Sequence, residues 1–337
     1  WQRSFEKAGL KNAIIAKDAP TPEEDPDWNP EDVRYSVIRY IATDIQNAQG
    51  PHVHDPRTGE ILESDILWYH NVMNLLRNWY FVQTAAVNET ARGIKFEDDI
   101  MGELIRFVAA HEVGHTLGLP HNMGSSVGYP VDSLRSPSFT STHGTAPSIM
   151  DYARFNYIAQ PEDGITSFFP GLGEYDDWAI WYGYRPIADV DKPEDEEDLL
   201  NGWILEKAGN PLYRYGRQRR GVVDPSAQTE DLGDDSMIAS ALGIENLKRI
   251  KDKLIEWGTR DGENYDDLEE LYSNVIGQYN RYMGHVTANV GGVYEFFKTS
   301  DQDGVVYTHV EKDKQIRAIK FLNEQLFNTP TWMVDPA

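Results

Sequence analysis

The sequence contains no cysteine. This absence excludes disulfide bonds, thiolate metal sites and cysteine nucleophiles, so any metal ion must be held by histidine and carboxylate side chains. It does not decide the compartment, because a chain without thiols suits a reducing cytosol and an exported bacterial protein equally. The first 15 residues also lack the basic and apolar architecture of a signal peptide. We therefore expect a mature form or an excised piece, from which a signal or pro-segment could have been lost upstream.

Basic residues are few as well. Lys and Arg together number 31 against 55 Asp and Glu, which gives a formal net charge of −24. A surface with this average charge repels a phosphate backbone, which argues against nucleic acid as a partner. No apolar run approaches the length of a membrane span. Hydrophobic residues still make up 40% of the 337, enough for a folded protein of two domains or of one large domain with an annex.

The first half of the chain has the pattern of a mixed α/β region. Residues 33–43 are rich in β-branched and aromatic side chains, which predicts a strand. Two extended segments follow, joined by a good turn sequence at 55–59. From Tyr69 the apolar positions change to helical spacing, and a second helix is predicted over about 98–117, with Gly118 just past its end.

The last third of the chain has the pattern of helices. Segments 234–257, 265–290 and 311–327 each carry apolar residues three and four positions apart. The predicted fold class is therefore α/β (α+β), with a mixed region first and a largely α-helical region afterwards. The apolar stripes must be buried. We expect them to pack on the first half, although an independent helical bundle on a flexible tether fits the sequence equally.

The residues from His111 to His121 fill every position of the pattern H-E-x-x-H-x-x-G-x-x-H. On a helix, His111 and His115 lie one turn apart on the same face, so two imidazole nitrogens can reach one cation. Glu112 lies beside them. Gly118 can adopt a positive φ and turn the chain so that His121 returns as a third ligand. A bare H-E-x-x-H can arise by chance, but the extended pattern is far more specific and predicts a Zn²⁺ site.

A second element follows at residues 148–152, with the sequence SIMDY. It resembles the Met-turn of the metzincin metallopeptidases, which places a methionine, here Met150, beneath the zinc. The resemblance also implies that Tyr152 can ligate the zinc and swing away to hold the transition-state oxyanion. The sequence fits equally a Tyr152 that is simply packed, with its hydroxyl in a hydrogen bond.

The metzincin resemblance covers about residues 33–160. It implies a metzincin-like catalytic core over residues 1–172, with a mixed twisted sheet and the active-site helix. The mostly helical region 173–337 would pack on that core. The chain lacks the disulfide cysteines of astacins and adamalysins and the glycine-rich calcium repeats of serralysins.

A closer resemblance is to the large zinc-dependent metallopeptidases of Bacteroidetes. The phrases that carry it are PSIMDYARFNY at 147–157, DPRTGEI at 55–61 and AQTEDLGDD at 227–235. This resemblance implies that nearly the whole chain is one family unit. It also implies a bacterial protein that is exported, whether periplasmic, on the cell surface or secreted.

The metzincin resemblance implies a zinc-dependent endopeptidase. In this interpretation Glu112 accepts a proton from water and later delivers it to the leaving amine, without a covalent intermediate. A catalytically silent binding module on a protease fold is the alternative, and the presence of Glu112 argues against it. An aminopeptidase with a glutamate as third ligand is disfavoured because His121 already fills that position.

The expected partner is an extended peptide or protein substrate that adds as a strand to a sheet edge above the cleft. Residues 61–68 are the candidate edge, although an interior strand fits equally. The pocket for the residue after the scissile bond would be lined by 153–160. The substrate-binding candidates are Ile61, Leu62, Glu63, Ser64, Asp65 and Ile66.

Three further sets of polar residues are weaker candidates for metal binding or for lining the cleft. His52 and His54 alternate on an extended segment and could form a second metal site, but a solvated or hydrogen-bonded pair is favoured. His143 precedes the Met-turn and could line the cleft. An oxygen-rich cluster could hold Ca²⁺, although helix capping explains part of it more simply. Its members are Asp224, Glu230, Asp231, Asp234 and Asp235.

Overall fold

The structure is a computed structural model that describes residues 1–188, 190 and 192–334. Its helices are α1 (Gln2–Lys7), α2 (Val72–Thr84), α3 (Asp98–Thr116), α4 (Val131–Leu134), α5 (Pro137–His143), α6 (Glu174–Tyr184), α7 (Glu197–Lys207), α8 (Ser236–Gly258), α9 (Asp266–Thr287) and α10 (Lys312–Leu322). Its strands are β1 (Ile38–Ile41), β2 (Ala48–Gln49), β3 (Val53–His54), β4 (Ile61–Glu63), β5 (Ile66–Tyr69), β6 (Val293–Glu295) and β7 (Tyr307–His309).

A small mixed sheet lies in the first half of the chain, with the strand order β1–β5–β2. Strand β5 runs parallel to β1, with Ile66 opposite Ile38, and antiparallel to β2, with Trp68 opposite Ala48. Strands β3 and β4 form a separate antiparallel hairpin around the predicted turn. Gly59 in that turn has a φ of +76°, a conformation in which any side chain would be strained.

Strand β1 is shorter than the strand that composition predicts over 33–43. The Asp32 carboxylate accepts a hydrogen bond from the backbone N–H of Arg34 (3.0 Å), and the Asp32 carbonyl accepts one from Tyr35 N–H (2.9 Å). Such local bonds satisfy the backbone in a turn instead of a ladder. The chain therefore becomes extended only at Ile38.

Helix α3 confirms the predicted helix over 98–117 to within one residue. Asp98 and Asp99 lie in its first turn, where negative charge offsets the helix dipole. Leu104 and Phe107 are buried on its inner face. Gly118, with a φ of +85°, redirects the chain just past the end. The active-site helix is thus fixed by a buried face and by a glycine stop.

The C-terminal region is mostly helical, as the spacing of apolar residues predicts. Helices α8, α9 and α10 fall within the predicted segments 234–257, 265–290 and 311–327, except that α8 extends one residue further. Helix α10 ends early, and 323–327 continues as a wider π turn. Among the described residues, no helix combines the length and the apolar character that a membrane crossing requires.

One hydrophobic core joins the two halves of the chain. Helices α8 and α9 pack against each other and both pack on α2, where Leu76 and Phe81 are fully buried. The inward residues of α8 and α9 match the predicted apolar stripes, and those that are buried are Leu247, Ile250, Leu254, Leu271, Val275 and Tyr279.

Hydrogen bonds also cross between the halves. The side-chain amide of Asn246 on α8 donates to the carbonyls of Tyr157 (3.0 Å) and Ala159 (2.8 Å), just after the Met-turn. Arg77 on α2 donates to Glu270 on α9 (2.9 Å). Buried polar groups require such partners. The C-terminal helices are therefore packed on the rest of the chain and not joined to it by a tether.

Candidate metal centre

Three imidazole rings converge at the end of helix α3. His111 and His115 project from one face of the helix, and the turn at Gly118 brings His121 back over them. The Nε2 atom of His121 lies 3.2 Å from Nε2 of His111 and 3.0 Å from Nε2 of His115. In the described part of the chain, this is the one group of three or more histidine and acidic residues whose ligand atoms could share a metal ion.

The other ring nitrogens of the first two histidines are held by backbone carbonyls. His111 Nδ1 donates to the carbonyl of Ile149 (2.7 Å), and His115 Nδ1 donates to the carbonyl of Leu119 (2.8 Å). A proton on Nδ1 leaves the Nε2 lone pair free, and such bonds orient metal-ligating histidines in proteins. Both rings therefore have the tautomer and the orientation that a ligand needs.

Burial keeps the three rings neutral. It lowers the pKa of His111 well below its usual value, lowers the pKa of His115, and lowers the pKa of His121 to about 4. Neutral imidazole is the form that binds metal. Three neutral nitrogen donors around one point are the donor set of a catalytic zinc site, so the residues present fit Zn²⁺.

The third histidine is held by a side chain that the sequence did not reveal. His121 Nδ1 lies 2.8 Å from Oε1 of Gln218, in the loop that follows Tyr215. Nothing in the spacing of the motif indicates Gln218, because the two residues are 97 positions apart. The C-terminal region therefore contributes directly to the site.

Replacing Gln218 by Ala should weaken zinc binding about tenfold, because a metal-ligating histidine loses the acceptor that fixes its orientation. Competition with a chromogenic zinc chelator measures the change. Gln218→Glu keeps an acceptor oxygen and should bind zinc as tightly as the parent. Equal affinities for all three proteins would show that the contact does not support His121.

Glu112 is buried beside the histidines, and β2 ends against it. Burial raises the pKa of the Glu112 carboxyl to about 7, while a hydrogen bond from the Gly50 backbone N–H lowers it. A Cβ atom at Gly50 would lie 2.4 Å from the carbonyl oxygen of Glu112. Only glycine allows the chain to approach the active-site helix so closely. The spacing of the zinc motif gives no sign of Gly50.

Met150 packs on helix α3 at Gly114, which lies between His111 and His115 in the sequence. Its side chain is fully buried, and a Cβ atom at Gly114 would lie 2.2 Å from its sulfur. The Met150 carbonyl accepts a hydrogen bond from the Asn122 N–H (3.0 Å). The methionine turn and the zinc motif therefore fit together through a glycine in the x-x of H-E-x-x-H.

A buried aspartate on α6 anchors this turn. Asp176 accepts hydrogen bonds from the Ser148 hydroxyl (2.6 Å) and the Ile149 N–H (2.8 Å). Burial raises the pKa of Asp176 to about 7. Because the Ile149 carbonyl in turn holds His111, Asp176 fixes the orientation of a histidine that it does not touch.

Tyr152 lies against two of the histidines. The centre of its ring is 4.4 Å from that of His121 and 5.4 Å from that of His111. Burial raises the pKa of its hydroxyl. The structure thus places Tyr152 beside the centre, and its role in ligation or in oxyanion binding stays a prediction.

Comparison with protein families shows which family the chain belongs to. A family model described as Met-zincin matches residues 93–337, well over half of the chain. The chain belongs to the Met-zincin family. Comparison with curated proteins and with solved structures gives no match. The metzincin resemblance and the predicted fold class are therefore confirmed, while the family model does not test the assignment to the Bacteroidetes-type group. Membership implies a metallopeptidase that uses zinc.

The Met-zincin chain does not form the single edge strand that we predicted over 61–68. Strand β5, which includes Ile66, is the middle strand of its sheet, so the edge assignment is wrong there. The Ser64 hydroxyl donates a hydrogen bond to the Pro51 carbonyl (2.7 Å), and the Asp65 carboxylate forms an ion pair with Arg39 (2.7 Å). Ile61, Leu62 and Glu63 form β4 in the hairpin. Contact with substrate stays a prediction for all six.

The three candidate histidines outside the centre, His52, His54 and His143, have contacts of their own. His52 and His54 pack with ring centres 5.4 Å apart, and His52 Nδ1 donates to the His115 carbonyl (3.2 Å). They lie beside α3 but bring no third metal ligand with them in the described residues. His143 pairs with Glu174 (3.0 Å) on α6. These contacts favour the hydrogen-bonded alternative for the His52–His54 pair.

Among the described residues, the acidic residues that could hold Ca²⁺ do not bring three ligand atoms together, so the structure gives calcium no support. Each carboxylate has its own partner among the described residues. Asp235 caps α8, as the capping alternative expects, whereas Asp234 bonds to a backbone N–H outside that helix. The contacts are Asp224 with Arg214 (2.8 Å), Glu230 with Arg281 (3.0 Å), Asp231 with Ser126 (3.2 Å), Asp234 with Val131 N–H (3.0 Å) and Asp235 with Met237 N–H (3.0 Å).

Proposed function

We propose that the protein is a zinc-dependent endopeptidase that hydrolyses extended peptides. The observation that carries this proposal is the convergence of three neutral Nε2 atoms beside the buried carboxyl of Glu112. His111, His115 and His121 would hold the metal. Zinc in such a site supplies Lewis acidity, which activates water and polarises a carbonyl group.

The chain's own acid–base chemistry rests on Glu112. A carboxyl in a low-dielectric site exchanges a proton near neutral pH. Glu112 takes the proton from the attacking water and passes it to the leaving amine. Tyr152, packed edge-on against His121, would offer its hydroxyl to the oxygen that becomes negatively charged.

Strand β2 supports an extended substrate. It lies at the edge of its sheet, and among the described residues only β5 pairs with it. Gly50, directly after β2, donates a backbone hydrogen bond to the Glu112 carboxyl, so a peptide added along this edge would run beside the carboxyl. Main-chain hydrogen bonds of this kind bind many sequences and suit cleavage inside a chain.

Metal analysis and digestion of a peptide library test the proposal together. Protein purified without added zinc should carry one zinc per chain, and mass spectrometry should locate cleavage at internal peptide bonds. A chelator should abolish cleavage, and zinc should restore it. His121→Ala, assayed alongside, should lose both zinc and activity. Cleavage that persists in the metal-free protein would overturn the proposal.

A further inference from the structure

Arg154 stands two residues after Tyr152, in the segment 153–160 that is predicted to line the pocket for the residue after the scissile bond. It is the one charged residue of that segment. Its φ is +60°, which non-glycine residues seldom adopt, and it is only 8% exposed. Backbone strain and a buried charge both carry a cost, and such features cluster at functional sites.

The guanidinium of Arg154 lies one side chain away from the metal ligands. Its Cζ atom lies 3.4 Å from the centre of the Trp79 ring and 4.5 Å from the centre of the Tyr152 ring. Tyr152 also contacts His121, at 4.4 Å between ring centres. Aromatic faces on the guanidinium hold it in one orientation. The cation is thus fixed in place beside Tyr152.

The buried guanidinium of Arg154 shares its carboxylate partner with a second arginine. Glu230, itself buried, faces two guanidinium groups, with Arg281 Nε at 3.0 Å and Arg154 Nε at 3.5 Å. The side chain of Arg281 is 40% exposed and reaches solvent, whereas that of Arg154 is buried and holds the more distant contact. The Nε atom of Arg154 is buried and has no hydrogen-bond acceptor among the described residues. Glu230 is therefore an ion-pair partner of this Nε atom but not a close hydrogen-bond acceptor, and a buried cation gains from a ligand that supplies one.

We infer that Arg154 binds a substrate carboxylate, and that the peptidase prefers Asp or Glu directly after the scissile bond (P1′). This inference rests on the proposed function. A planar guanidinium pairs with a carboxylate through two parallel hydrogen bonds, which gives both energy and orientation. Because Arg154 lies in the segment after the Met-turn, which is predicted to line the P1′ pocket, the carboxylate that it binds would belong to the P1′ side chain.

The rim of the centre carries the same sign of charge. Arg217 and Arg220 are exposed on either side of Gln218, the residue that holds His121. Neither has a carboxylate within ion-pair distance among the described residues, whereas Arg219 between them pairs with Glu295 (2.6 Å). In a chain of net charge −24, this local positive potential would attract an acidic peptide.

A set of matched fluorogenic peptides tests the inference. The peptides are amidated at the C terminus and differ only at P1′, which is Glu, Gln or Leu. Zinc-loaded wild-type protein should cleave the Glu peptide with a kcat/KM about 30-fold above that for Gln, the equivalent of about 2 kcal/mol for a buried charge pair. A fourth peptide ends at P1′ Leu with a free carboxylate. Preference for that peptide alone would overturn the side-chain assignment.

Variants test whether Arg154 causes the preference for Glu over Gln at P1′. Arg154→Gln should reduce the Glu-to-Gln ratio to about one, and Arg154→Lys should retain part of it because the charge remains while the planar fork is lost. Arg106→Gln removes an exposed charge from the same helix as His111 and should leave the ratio unchanged. Zinc content and circular dichroism show whether each variant is folded.

Two outcomes separate failure of this inference from failure of the proposed function. If the wild-type protein cleaves Glu and Gln peptides equally, the carboxylate site is overturned and the peptidase stands. If no peptide is cleaved, the endopeptidase proposal is overturned, and binding of labelled peptides to zinc-loaded Glu112→Ala decides the site. In that assay, equal affinity for Glu and Gln peptides overturns it, whereas a preference for Glu that Arg154→Gln removes supports it.

Discussion

Replacing Glu112 by Gln is expected to lower kcat/KM for peptide hydrolysis by about a thousandfold or more, as loss of a positioned general base and acid does in other enzymes. Gln has the size of Glu, so the fit against Gly50 should survive. It cannot accept a proton, so the acid–base step should be lost. Zinc content should stay at one per chain because Glu112 is not among the three ligands. Stopped assays on the library peptides, with zinc analysis of the same samples, measure both quantities.

Glu103→Gln provides a matched control. Glu103 lies on the same helix, is exposed, and pairs with Arg106, so its loss should change the rate by less than about twofold. Equal turnover by the wild type and Glu112→Gln would point to a contaminating peptidase. The chain would then be a silent binding module on a protease fold, the alternative that the sequence leaves open.

The parts of the site that sequence could predict are local. His111 and His115 share a helical face by spacing alone, and Gly118 marks where the helix must end. These features depend on a stretch of only 11 residues. Met150 is further along the chain, but the SIMDY phrase makes it recognisable. Helix periodicity likewise predicts α8 and α9, because each buries a continuous stripe.

The parts that sequence could not predict depend on tertiary contacts. Which strand lies at a sheet edge is decided by pairing partners that come from elsewhere in the chain, so Ile66 fell in the middle strand. Gly50 matters only because β2 meets α3. Gln218 acts on His121 from far along the chain. A glutamine in a loop and a glycine before a proline carry no local signal of such roles.

Truncating the chain after Tyr184 is expected to abolish folding, although the zinc motif and the Met-turn would both remain. Loss of α8 and α9 would expose the buried face of α2, and each large apolar side chain left in water costs about 1.5–3 kcal/mol. Domains of this kind are stable by only about 5–15 kcal/mol in total. The fragment should aggregate, show no cooperative thermal transition and bind no zinc. Size-exclusion chromatography, calorimetry and metal analysis measure the three outcomes.

Two point variants test the packing of the C-terminal helices without shortening the chain. Tyr282 on α9 is fully buried against Gly243 of α8, where a Cβ atom would come within 2.6 Å of its ring. Tyr282→Ala should lower the free energy of unfolding by about 3–5 kcal/mol, as large-to-small core substitutions do. Tyr282→Phe keeps the ring, and it should cost little because the hydroxyl makes no close hydrogen bond among the described residues. A soluble, cooperatively folded and active fragment 1–184 would show that the helices are dispensable. The cost of Tyr282→Ala would then be confined to the C-terminal region.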